Sequence, residues 1–343
     1  MKPISSLTRY MFGGYAAVAI LAGCSAGASQ SSFIPSNLGV HPENHRTQRS
    51  SPAPNGYTYV SNLTKHGVSQ LLVYSGTQNL APIRAITKGL SDVQGVAVDP
   101  TGNVYVANGG GGNVLEFSPG GASLVQTYSE DLVHPAGLAV AGGTLFVTDQ
   151  GDARNGYLQQ VYEYALGDGP PLIGIASIAD PPQLNEGVAV NSSSNNGQFY
   201  VAASSIPAVP PARACPSSNN YSVEENVLPT LWVLVPLSHN AQASGLAFDS
   251  DGKLYVADVC NNDVAIYSDV DYTWTYSGNV PGRFHAPLYL NINNSFLAIP
   301  SSNGATAVSQ GYVTIVNLAR HASSVTISNG LEHPIAAAVG ASP

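Results

Sequence analysis

The stretch "GVAVDPTGNVYVANGGGGNVLEF", Gly95 to Phe117, decides the architecture. Alternation of apolar and other residues in "NVYVAN" is the period of a strand with one buried face. "DPTGN" before it is tight-hairpin chemistry, its glycine supplying positive φ. These features predict an inner strand at Val96 to Val98, a second at Val104 to Ala107, a third at Val114 to Phe117 after the glycine-rich loop, and an outer strand at Ser123 to Ser129.

The pattern recurs. "GLAVAGGTLFVTD" begins at Gly137, "GVAVNSSSNNGQFYVAA" at Gly187 and "GLAFDSDGKLYVAD" at Gly245, with a degenerate copy, "PLYLNINNSFLAIP", at Pro287. A unit of about 40 to 60 residues built of short strands predicts a β-propeller, each unit one four-stranded blade. The first copy, from Tyr57, lacks an inner strand, and "HPIAAAVG" at His333 matches "HPAGLAV" at His134 and is followed by no further strand. The expectation is an all-β, six-bladed propeller closed by pairing Ile335 to Val339 with Tyr57 to Ser61, which removes the exposed edges of an open array. One blade departs: after "TLWVLV", Thr230 to Val235, no outer strand is expected, which would leave an edge for a partner's strand to extend.

The repeated "P-x-G-[VL]-A-[VF]-D…G-x-[LV]-Y-V-A-[DN]" resembles the NHL repeat over Tyr57 to Val339 and, more loosely, the group that includes gluconolactonase-like and strictosidine-synthase-like propellers. A gluconolactonase-like metal site would need Glu, Asn and Asp just before different inner strands. This chain has Gln94, Ala136, Glu186, Ser244, Ala286 and Ile335 there, and Glu186 alone matches.

Composition agrees with a β fold. Of 343 residues, 35 are glycine and 24 proline, and 10% are charged, so helix formers are scarce. The formal charge is -9 and no basic cluster is present, which argues against a nucleic-acid partner.

The N-terminus reads as an export leader. Lys2 and Arg9 precede a short apolar run from Tyr10 to Ala22, and "LAGC" ends at Cys24. These four residues look like the lipobox of bacterial lipoproteins, which implies a signal peptide over 1–23 and acylation of Cys24. Two or more acyl chains hold a protein at a membrane stably. Ser25 resembles substrates sent to the outer membrane. Residues 24–56, rich in Ser, Pro, Asn and Gln, are expected to form a disordered tether after that cysteine, and 57–343 the propeller. The expected location is the periplasmic side of the outer membrane or the cell surface, with the membrane contacted through the lipid alone.

Loops after second strands and connections entering inner strands share one face. Uneven growth there, in "DQGDARNGY", "PSSNGATAVSQGY" and Ser204 to Pro229, marks that face as the expected binding surface, with Tyr157, Tyr221 and Tyr312 among its candidate contacts. Cys215 and Cys260 lie on it in neighbouring blades, an even pair in an exported protein that suggests a disulfide.

Residues just before the inner strands should ring the channel mouth: Asp92, Gln94, His134, Asn185, Glu186, Gln242, Ser244, His285 and His333. Glu186 with His134, His285 and His333 could in principle hold a divalent metal. Asn62, Asn108, Asp149 and Asp258 end the second strands at one repeated position, so they read as caps on the following loops. Tyr105, Phe146, Tyr200 and Tyr255 read as packing between blades. No nucleophile elbow, phosphate loop or zinc-protease signature is present. The expectation is therefore a non-catalytic scaffold without a cofactor, binding a protein, peptide or glycan. The alternative is a metal-dependent hydrolase or lyase.

Overall fold

The computed structural model describes residues 56–340 apart from 152–159, 168–171, 178–182, 192–199, 208–221, 229–230, 236, 238–241, 271–272, 294, 303–309 and 321–322. The leader, Cys24, Cys215, Tyr157 and Tyr221 lie outside the described residues.

Strands follow one another as antiparallel hairpins. β1 (Tyr57–Leu63), β2 (Ser69–Ser75) and β3 (Arg84–Ile86) come first. Next are β4 (Val93–Val98), β5 (Val104–Asn108), β6 (Asn113–Phe117) and β7 (Leu124–Tyr128), then β8 (Pro135–Ala141), β9 (Thr144–Asp149), β10 (Gln160–Ala165) and β11 (Leu172–Ser177). They are followed by β12 (Gln183–Asn191), β13 (Tyr200–Pro207), β14 (Ser222–Leu228) and β15 (Leu231–Val235). The chain continues through β16 (Ala243–Phe248), β17 (Leu254–Asp258), β18 (Asp263–Val270) and β19 (Thr273–Asn279), and through β20 (Asn291–Asn293), β21 (Phe296–Ser301), β22 (Tyr312–Asn317) and β23 (Ser323–Ile327). The last strand, β24 (His333–Val339), returns to β1.

These strands form six four-stranded sheets, ordered β24-β1-β2-β3, β4-β5-β6-β7, β8-β9-β10-β11, β12-β13-β14-β15, β16-β17-β18-β19 and β20-β21-β22-β23. Each inner strand touches the next around the ring: β24 with β4, β4 with β8, β8 with β12, β12 with β16, β16 with β20 and β20 with β24. The fold is an all-β propeller. The tail pairs with the head, Thr58 opposite Val339, Tyr59 opposite Ala338 and Val60 opposite Ala337.

The repeated glycines create the axis. In β4, β8, β12 and β16 the register shifts at Val93/Val96, Pro135/Leu138, Asn185/Val188 and Ala243/Leu246, a bulge at Gly95, Gly137, Gly187 and Gly245. A Cβ at Gly95 would stand 2.5 Å from the Ala136 carbonyl oxygen, and one at Gly245 would stand 2.3 Å from that of Leu288. Glycine is therefore what lets neighbouring backbones converge. The corresponding position in the β20–β23 blade is Tyr289, whose side chain is buried in the core with Val96, Ala136 and Ala336. Outward from the axis, blades pack through aromatic layers such as Tyr105, Tyr128 and Tyr164, with successive ring centroids 6.1 and 5.7 Å apart.

Two expectations are corrected. The blade thought to lack an outer strand has one: β14 lies inside the segment taken as a long insertion, and β15 is the outer strand. The chain itself covers the edge proposed for a partner. "SVEENVL" escapes a period-two reading because its central residues are Glu224, Glu225 and Asn226. The second correction is register: Ala202, not Tyr200, stands opposite Ala189 as Tyr105 stands opposite Ala97.

Candidate functional site

The loop-rich face is built on repeated caps. Asp149 accepts hydrogen bonds from the backbone N–H of Val133 (2.7 Å), His134 (3.0 Å) and Gly151 (2.6 Å). Asp258 accepts from Gln242 (3.1 Å), Cys260 (3.0 Å) and Asn261 (3.1 Å). Asn108 accepts from the Ser91 N–H at 2.6 Å, and Asn62 from that of Glu332 at 3.0 Å. The caps thus reach back to the connection entering their own inner strand as well as forward into the next loop. Buried backbone donors must find acceptors, and Asp149 and Asp258 each serve several while Asn108 and Asn62 each serve one.

Hydroxyls at the mouth are spent similarly. Ser61 donates to the Gln94 carbonyl at 2.6 Å and accepts from the Ala336 N–H at 3.0 Å. Thr148 accepts from the Gly137 N–H at 2.7 Å. Ser244 donates to the Pro287 carbonyl at 2.9 Å and is 1% exposed, so it is a tie between blades rather than part of an open mouth.

Of the expected mouth residues, the structure brings together Asp92, Gln94 and His134. The backbone carbonyls of Asp92, His134 and Gln242 each accept from the residue after their blade's cap, Gly109, Gln150 and Val259, all at 3.0 Å, so the three occupy one repeated position. His134 Nε2 lies 3.3 Å from Asp92 Oδ2, and Gln94 Nε2 donates to Asp92 Oδ1 at 3.0 Å. The hydrogen bond from His134 holds the Asp92 carboxyl below its ordinary value, and the same bond raises the His134 imidazole. Gly109 makes room for that ring, since a Cβ there would come within 2.8 Å of Nε2.

The other candidates do not join this cluster through any described interaction. His285 packs edge-on against Tyr312, with ring centroids 6.4 Å apart, and the Tyr312 hydroxyl donates to the Arg283 carbonyl at 3.0 Å. His333 opens β24 opposite Leu63. Asn185 and Glu186 lie in β12, their side chains outside the described residues. Among the described residues, no three His, Cys, Asp or Glu side chains gather in a metal-binding cluster, and no helix is long and apolar enough to cross a membrane.

Sequence reasoning missed three positions, all in the weakest copy. Pro287 bridges to Ser301 as Pro135 does to Asp149 and Ala243 to Asp258, so Ser301 stands where four of the blades carry an Asn or Asp cap. Its Oγ is buried without a partner, as is Asn291 Oδ1. Together with Tyr289 they mark where that blade breaks the pattern. Setting "PLYLNI" over "ASGLAF" exposes Tyr289 and Asn291, Tyr over Gly and Asn over Ala.

The NHL repeat family model matches residues 240–267, which span the end of the incoming connection and β16 to most of β18. No curated protein matches the chain. Among solved structures, it is similar to a chain of a nidogen/laminin complex, with 13% identity, TM-score 0.55, and coverage of 83% of this chain and 97% of that one. A protein from Lactobacillus plantarum is similar at 15% identity and TM-score 0.51, with coverage of 83% of this chain and 85% of that one. Identities this low carry the fold alone. The comparisons therefore agree with the geometry on an all-β propeller that includes an NHL-like repeat.

Proposed function

We propose that this chain is a lipid-anchored propeller of the bacterial envelope, a non-catalytic scaffold that binds a protein, peptide or glycan through its loop-rich face. One observation carries the reading: Asn62, Asn108, Asp149 and Asp258 are committed to backbone N–H groups of their own blades. A polar group held by the scaffold in blade after blade is poorly placed to do chemistry. What differs between blades is the loops. The second-to-third-strand turns at 109–112 and 259–262 are short, whereas the equivalent segments at 150–159, 208–221 and 302–311 are longer. Variable loops on a rigid frame are the usual seat of recognition. The complex from which one fold neighbour comes shows only that the fold is compatible with such a role.

Anchoring rests on the "LAGC" segment. Incorporation of labelled fatty acid that is lost in Cys24→Ala is expected, and undiminished labelling of that variant would overturn it. The loop face is tested by replacing 152–159 and 303–309 with the four-residue turn of 109–112 and recovering partners with the intact and altered proteins. Loss of partners with an unchanged thermal transition is expected. Unchanged capture would contradict the reading. The hydrolase alternative, using Glu186 with His134, His285 or His333 around a divalent ion, requires stoichiometric metal in the purified protein that falls in Glu186→Gln.

The same reading includes a Cys215–Cys260 bridge across that face. It is supported by the oxidised state of Cys260 and by the presence of three cysteines, one of them assigned to the lipid. Closing a loop of about 46 residues stabilises by about 4 kcal/mol in the chain-entropy model. Peptide mapping of the unreduced protein would find the two cysteines linked.

A further inference from the structure

At the outer rim, the seam between the β24-β1-β2-β3 and β4-β5-β6-β7 blades holds an open groove of about 630 Å³. Leu124, 54% exposed, and half-buried Ile86 line it together with buried Leu115 and Phe117. Arg84 and Lys88 line it too, both exposed, and no Asp or Glu is among its walls. Arg84 Nη1 donates to the Gly121 carbonyl at 2.7 Å, which holds the guanidinium across the seam with other N–H groups to spare.

The neighbouring seam shows what this one lacks. Counted from the caps Asn62, Asn108 and Asp149 through the strand pairings, Ile86 corresponds to Tyr128, Leu115 to Tyr162 and Phe117 to Tyr164. Those tyrosines are at most 2% exposed and fill their seam. Their hydroxyls donate to the side chains of Glu116 and Gln160 and to the Glu130 carbonyl. By the same count Arg84 stands where the next blade has Gln126, and Lys88 where it has Glu130. Smaller side chains without hydroxyls thus open the first seam, and two cations replace an amide and an acid.

We propose that this groove binds the anion of a fatty acid, its aliphatic chain along Ile86 and Leu124 and its carboxylate on the Arg84 guanidinium, with the Lys88 ammonium adding to the attraction. Small-molecule sites combine apolar walls with a few placed polar groups, the composition found here. A guanidinium meets a carboxylate in a planar, charge-assisted pair. On a chain of net charge -9, a basic groove free of acids draws anions against the overall field. The loops at 152–159 and 303–309 belong to other blades, so the groove and the recognition face can fail separately.

The full chain is titrated with decanoate, octanoate and decanol below their aggregation limits, with calorimetry or ligand-observed NMR as the readout. Saturable binding of decanoate is expected, about tenfold tighter than decanol, the size of one charge-assisted hydrogen bond. It should exceed octanoate by about fourfold, as partly buried methylenes would give. Arg84→Gln, which installs the residue of the next blade, should weaken decanoate about tenfold while leaving decanol within about twofold. Absence of saturable decanoate binding overturns the proposal. So does equal affinity of the native chain for decanoate and decanol, the result expected if an uncharged apolar partner is the true occupant. Undiminished decanoate binding in Arg84→Gln also overturns it.

Discussion

Two adjacent blades, β16–β19 and β20–β23, show what this repeat is for and what happens where it lapses. In the first, Asp258 ties down the incoming connection and the following loop, Gly245 admits the Leu288 carbonyl to the axis, and Asp249 Oδ2 accepts from the Tyr255 hydroxyl at 3.0 Å. In the second, Ser301, Tyr289 and Asn293 stand in place of Asp258, Gly245 and Asp249, and Ala298 in place of Tyr255. The first blade spends its polar groups on the frame. The second fills the axis with an aromatic ring and leaves Ser301 Oγ and Asn291 Oδ1 unpaired. Regularity here marks structure, and the departures mark where buried polar groups are left over.

The sharpest way to break the comparison is at the axis. Gly245→Val places branched carbon against the backbone of Leu288, Tyr289 and Leu290. Neighbouring backbone cannot yield as a flexible side chain can, so a loss of about 4 kcal/mol or more in urea denaturation is expected.

Asn291→Ala gives the departing blade the residue its neighbours carry. Removing a buried acceptor that lacks a partner should raise stability by about 1 kcal/mol in the same assay.

A third variant examines the hairpin seam. Asp99 with Tyr105, and Asp249 with Tyr255, form matching side-chain bonds, while the blade with Ala141 has Phe146. Acid and phenol occur together or are absent together in these copies. Tyr255→Phe should cost about 1 kcal/mol, and less when combined with Asp249→Ala, so a double-mutant cycle should show coupling.

The smallest effect concerns pH. Asp92 is held below its ordinary value of 3.8 and His134 above 6.5, each chiefly by the other. The pair's contribution stands in full between those two ordinary values. It is lost as pH falls through the lowered Asp92 value or rises through the raised His134 value. Both side chains are substantially exposed, at 31% and 51%, so screening limits the contribution to a few tenths of a kcal/mol. An NMR titration of the His134 ring should show a midpoint that drops in Asp92→Asn.

Much of the frame is written in the chain. The glycines at 95, 137, 187 and 245 phase the blades, and the match of "HPIAAAV" to "HPAGLAV" places the closing strand that pairs with β1. The strand β14 is hidden because Glu224, Glu225 and Asn226 obscure the alternation, although the backbone ladder to β13 and β15 forms regardless of side-chain polarity. The repeated Asn and Asp positions were legible as caps, but not their reach back to the connection before the inner strand, because that depends on how the chain folds across Asp149 and Val133. At the candidate site, the meeting of Asp92 with His134 needed the geometry of two neighbouring blades. The unpaired Asn291 was legible only as a mismatch among alanines, since its burial depends on the strands packed around it.

The claim that repeated caps are frame and the departing blade is not is tested most directly by measuring the unfolding free energies of Asp258→Ala and Ser301→Ala side by side. The account predicts a loss of about 2 to 3 kcal/mol for the first, whose removal strands buried N–H groups, and no loss or a slight gain for the second. Equal losses for the two would contradict it.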